Sequence, residues 1–135
     1  MADRHILDAS AVLCLLDDAP GADRIAAVLD TASISSVSVA LVAAELTRRG
    51  ADQEEVGALF RELHLNVIPF GLDQALDTGT LGCQIAEEGA TLEHWVWNAT
   101  AVRTGATPVS RSSAHTPTPD DRSSEHAGQA VADKG

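Results

Sequence analysis

The chain has 135 residues, a hydrophobic share of 44% and a formal net charge of −11. That length allows one domain with a real core, and so acidic a surface repels phosphate backbones and argues against tight, nonspecific nucleic-acid binding. No stretch reaches the roughly 18 consecutive apolar residues of a membrane span, and Met1-Ala2-Asp3-Arg4 lacks the basic end and apolar run of a secretory signal, so a cytoplasmic protein with no membrane partner is expected.

Aromatic residues make up 3% of the chain and tyrosine is absent. The core must therefore be built from Ala, Val, Leu and Ile, which suits α/β packing. Cys14 and Cys83 sit far apart in apolar or mixed stretches and read as buried free thiols in a reducing compartment. No Cys/His spacing suggests zinc.

In chain order, His5-Ile6-Leu7 reads as a short strand that ends in Asp8, with Ser10 able to cap a helix carrying Val12, Leu13, Leu15 and Leu16. Asp17-Asp18-Ala19-Pro20-Gly21 breaks that helix, and a second is expected from Ala22 to Leu29. Ser33-Ile34-Ser35 reads as a strand, followed by a helix from Val39 to Arg49 with Ser38 as its cap and Gly50 as its stop. Asp52 and Glu55 have the spacing of a capping box, opening a helix that buries Val56, Leu59, Phe60 and Leu63.

Asn66 to Pro69 reads as a third strand, with Pro69 ending it. Weaker helices follow at Asp73 to Leu81 and Cys83 to Glu88, interrupted by Gly79 and Gly82. Thr91 can cap a last long helix from Leu92 to Thr104, ended by Gly105, and Pro108-Val109-Ser110 reads as a final strand. Trp95 and Trp97 point to different faces of that helix, so both cannot easily be fully buried. Strands alternating with helices imply a parallel sheet covered on both faces. From Arg111 the chain is rich in Ser, Thr, Pro, Asp and Gly, which predicts a domain over residues 1–110 and a disordered polar tail over 111–135.

The run Ile6-Leu7-Asp8-Ala9-Ser10-Ala11 resembles the opening motif of PIN domains of the VapC toxin type. Pro20-Gly21-Ala22, Ile34-Ser35-Ser36-Val37, Arg48-Arg49-Gly50, Val67-Ile68-Pro69-Phe70 and Ala101-Val102-Arg103-Thr104-Gly105-Ala106 resemble later landmarks of that family, in its order and at nearly its spacing. The resemblance covers about three quarters of the chain. It implies a PIN-like three-layer α/β/α sandwich with a short parallel sheet, and a Mg²⁺- or Mn²⁺-dependent endoribonuclease of a type II toxin–antitoxin pair. It also implies a small basic antitoxin and a homodimer as partners, with RNA as the substrate of an active enzyme.

Such proteins hold three or four carboxylates at the carboxyl ends of parallel strands. The carboxylates repel one another, and a hard divalent cation stabilises the cluster and activates water. Asp8 matches the first of these acids, although an Asp there can also simply cap the next helix. The other three family positions fall on Leu41, His94 and Ser112. Glu45 lies one helical turn beyond Leu41 and Glu93 stands beside His94, so Asp8, Glu45 and Glu93 form the candidate catalytic and metal-binding set. Glu45 also reads as a surface residue of a helix ending in two arginines, and Glu93 as an acid favoured at a helix start. Imidazole at His94 suits Mg²⁺ poorly. The expected activity is therefore weak or lost, and the alternative is a non-catalytic PIN-like binding module that engages an antitoxin or a second copy.

Overall fold

A computed structural model of the chain describes residues 3–115 apart from residue 86. The first strand, β1 (His5–Leu7), ends at Asp8, whose extended backbone and side-chain acceptor start α1 (Ala9–Leu16). Asp8, and not Ser10, is therefore the cap. Its carboxylate reaches the Ala11 N–H, the geometry that best satisfies an orphan donor of the first turn.

The helix expected to run to Leu29 is shorter. It ends as α2 (Ala22–Ala26), and a 3₁₀ turn (Leu29–Thr31), closed by the Thr31 hydroxyl donating to the Val28 carbonyl, leads directly into β2 (Ala32–Ser35). The following helix, α3 (Ser36–Arg48), begins earlier than expected because Ser35 takes the cap, its hydroxyl accepting from the Val37 N–H. Ser38 is left inside the helix and buried. Helix α4 (Gln53–Leu63) carries the anticipated capping box of Asp52 and Glu55.

Strand β3 (Asn66–Ile68) is followed by α5 (Leu72–Asp77), a π-helical turn (Thr78–Gly82) and a single turn α6 (Cys83–Ile85). Helix α7 (Leu92–Thr104) has the expected limits, with Thr91 capping its start and Gly105 in the left-handed conformation (φ 70°) at its end. Strand β4 (Thr107–Val109) starts one residue before the expected strand. It is an edge strand, which tolerates Pro108. Residues Arg111–His115 form a short helix, α8, so the polar segment does not begin without structure, and the rest of the expected tail lies outside the described residues.

The four strands make one parallel sheet in the order β3-β2-β1-β4. Leu7 and Ile34 lie side by side in register and belong to the main core with Val12, Ile25 and Val42 from α1, α2 and α3. Ile6 points the other way and is buried outside that cluster, where α7, with Val96 and Ala99, packs on β1 and β2. The result is an α/β arrangement with helices on the sheet's two faces.

The chain fills the sheet from β1 through β2 to β3, then returns to the far side of β1. The crevice at the carboxyl ends of β1 and β4 is thus the topological switch point, the place where open α/β sheets bind ligands. Cys14 is buried as expected, its thiol donating to the Pro20 carbonyl, whereas Cys83 is exposed on the one-turn helix, and neither is in a disulfide. Among the described residues no helix is long and apolar enough to cross a membrane.

Candidate functional site

Two carboxylates meet at the carboxyl end of β1. Asp8 Oδ1 accepts from the Ser10 hydroxyl at 2.7 Å and from the Ala11 N–H at 2.9 Å. Glu93, at the first turn of α7, places Oε2 2.7 Å from the Ala9 N–H and 2.6 Å from the Ser38 hydroxyl, both of which donate to it. One carboxylate oxygen therefore ties α7 to the start of α1 and to α3. Ser38 is 1% exposed, and in this clasp its hydroxyl finds a charged acceptor that its own helix does not offer.

Burial is the main influence on Asp8, pushing its carboxyl above the ordinary aspartate value. The bonds from Ser10 and Ala11 oppose that rise, the nearby charge of Glu93 adds to it, and His94 pulls slightly the other way. His94 also stacks obliquely on Trp97, with ring centroids 5.3 Å apart. The Trp97 indole N–H donates to the Ile6 carbonyl at 3.0 Å, two residues before Asp8. Both tryptophans are half-buried, as their positions on different helix faces require.

The site also reaches the last described segment. Ser10 Oγ, the donor to Asp8, accepts from the Arg111 N–H at 2.9 Å. Ser110 and Ser113 close that corner, with the Ser110 N–H donating to Ser113 Oγ at 2.8 Å.

Of the three acids proposed from the sequence, Asp8 and Glu93 come together and Glu45 does not join them. Glu45 is held by Arg48 (2.6 Å) and Arg49 (3.0 Å), and Arg49 reaches on to Asp17 at 2.8 Å. Those bonds hold the Glu45 carboxyl below its ordinary value, and Arg49 does the same for Asp17. The physical reason is local: arginines at i+3 and i+4 lie on the same helix face as Glu45 and compete for it directly. Leu41, at the second family position, is exposed.

A hard divalent cation suits carboxylate oxygens that lack other donors. Here two N–H groups and two hydroxyls already neutralise Asp8 Oδ1 and Glu93 Oε2. Among the described residues no group of three or more His, Cys, Asp or Glu side chains is placed to hold a metal ion. Asp8 and Glu93 are thus two of the three expected acids, and protein donors already occupy one oxygen of each carboxylate.

Ser38 and Ser10 were not singled out as site residues by sequence reasoning. The only signal was the run Ser33, Ser35, Ser36 and Ser38, which offers several equivalent caps and leaves one hydroxyl for another partner. In comparison with known proteins, the chain matches no family model and no curated sequence.

Proposed function

We propose that the chain is a PIN-like protein of the VapC toxin type whose acidic site is reduced to the Asp8–Glu93 pair. On this reading its ancestral Mg²⁺-dependent ribonuclease activity is weak or lost, and its remaining role is to bind an antitoxin or a second copy. The observation that carries the reading is the meeting of Asp8 and Glu93 at the carboxyl end of β1, with Glu45 drawn into ion pairs elsewhere. The resemblance places acids at this end of the sheet, and the hydrogen bonds to both carboxylates explain how the pair persists without a third. The exposure of Leu41, an apolar side chain standing at a family acid position, favours binding over hydrolysis.

The test is calorimetric titration of Mn²⁺ into the full-length protein, with Asp8→Asn and Glu93→Gln beside it. Wild type and both variants should give the same negligible heat, and a labelled RNA should survive incubation with Mg²⁺. Micromolar binding in the wild type that Asp8→Asn abolishes would establish a surviving metal centre and refute the reduced site.

A further inference from the structure

Between Arg61 and Arg103 the chain has no lysine or arginine and six carboxylates. Asp77 is paired with Arg103 at 2.9 Å and Glu93 is held by Ala9 and Ser38, which leaves Glu62, Asp73, Glu87 and Glu88 for the outer surface. The same stretch holds six of the seven large hydrophobic side chains exposed among the described residues. Leu72 and Leu76, 74% and 57% exposed, lie one turn apart on the outward face of α5. Ala75, Gly79 and Cys83 continue the exposed surface through the π turn, while Thr78 and Gly82 are buried on the side that packs against α7.

The two glycines of this turn differ in what they do for the fold. A Cβ on Gly82 would run into the Trp95 carbonyl, so close packing with α7 requires glycine there. A Cβ on Gly79 would meet nothing within 4 Å. Glycine inside a helical segment lowers its stability relative to alanine, and no neighbour in this fold calls for Gly79. What it leaves is open backbone beside Leu76, where another backbone can approach closely.

We propose that this outward face, centred on Leu72, Leu76 and Gly79, docks an amphipathic basic helix of a partner protein. The leucines would bury the partner's apolar stripe, and Asp73, Glu87 and Glu88 would meet its flanking lysines or arginines. A nucleic acid meets mainly negative charge here, with Arg103 taken up by Asp77, and a second copy would set the same acids near one another. The partner class rests on the binding role proposed above, but the surface is independent of the Asp8–Glu93 pair.

The experiment is an NMR titration of the ¹⁵N-labelled full-length protein with a synthetic helix bearing leucines on one face and lysines on the other. The same helix with glutamates for lysines serves as its partner probe. The lysine helix should shift amides in the 72–83 segment, and the glutamate helix should not bind. Leu76→Lys should weaken the lysine helix at least about tenfold, by lost apolar burial and added repulsion. Gln53→Lys, which adds the same charge at the exposed start of α4, should leave it unchanged. Absent binding, shifts that map elsewhere, or equal affinity for Leu76→Lys would overturn the proposal. Sedimentation showing self-association that Leu76→Lys abolishes would assign the face to a second copy and overturn it as well. The Mn²⁺ titration of Leu76→Lys reports on the acidic pair alone, so failure of either idea is seen separately.

Discussion

Replacing Glu93 with alanine removes a charged acceptor from two donors at once. Hydrogen bonds to a charged group contribute about 1.5–3 kcal/mol each, and a buried hydroxyl left without a partner costs about 1–3 kcal/mol. The Ala9 N–H and the buried Ser38 hydroxyl both lose Glu93 Oε2, at 2.7 and 2.6 Å. Relief of Asp8, whose carboxyl feels the Glu93 charge, returns part of this. Glu93 is itself only half-buried, which lowers the value of each bond further. The net loss expected for Glu93→Ala is about 2–4 kcal/mol.

Glu93→Gln keeps a carbonyl acceptor in the same place, and its loss should stay near ~1 kcal/mol or below. Urea unfolding followed by the fluorescence of Trp95 and Trp97 measures both, with a shifted midpoint and an unchanged slope. Ser38→Ala alone removes one of the two bonds, so the Ser38→Ala/Glu93→Ala double variant should lose at least ~1 kcal/mol less than the sum of the singles. A Glu93→Ala loss under ~0.5 kcal/mol, or strict additivity with Ser38→Ala, would refute the clasp.

The raised carboxyl of Asp8 makes a pH-dependent contribution. In the interval between the ordinary aspartate value and the higher folded one, the native protein holds a proton that the unfolded chain has released. Stability from this group is thus complete below the ordinary value and is lost as pH rises through the folded one. Asp8→Asn, which keeps a good cap, should be more stable than wild type at pH 7 in thermal unfolding, and the advantage should vanish at the acid end. The two glycines of the π turn should respond in opposite directions. Gly82→Ala should cost about 3 kcal/mol because its Cβ meets backbone of α7, whereas Gly79→Ala should gain about 0.5–1 kcal/mol, both read from denaturant midpoints.

Much of the scaffold was legible because it rests on local chemistry. The Asp52–Glu55 box, the Thr91 cap, the Gly105 stop and Pro69 after β3 each act through neighbours within a few residues, and each appears where the sequence places it. Elsewhere several residues compete for one role, and spacing alone does not decide between them. Ser10 and Asp8 both suit a cap, and Asp8 takes it because its carboxylate is the stronger acceptor for the Ala11 N–H. Ser35 and Ser38 both suit the next cap, and the choice of Ser35 frees Ser38 for Glu93, 55 residues away.

The site was legible in the same measure. Asp8 follows from its motif, and Glu93 arrives because α7 packs against β1. Glu45 follows the other course the sequence offered, a surface residue of a helix ending in two arginines, and Arg48 and Arg49 at i+3 and i+4 both bind its carboxylate. No local pattern signals the Trp97 bond to the Ile6 carbonyl, which depends on how α7 is rotated on the sheet.

The position of β1 in the sheet also governs the order in which the chain can fold. β1 pairs with β2 about 27 residues later and with β4 about 102 residues later, in the registers His5↔Ala32 and His5↔Thr107. The first pairing, with Leu7, Ile34 and the helices of the main core, can form once the first half of the chain is available. The second waits for α7 and β4, and closing so long a loop is slow. Until then Ile6 and the open edge of β1 face water, a transient sticky surface during synthesis. Because Glu93 and Trp97 both ride on α7, the acidic pair assembles only with this last closure. The site therefore reports that folding has finished: a chain stalled before α7 docks carries Asp8 alone.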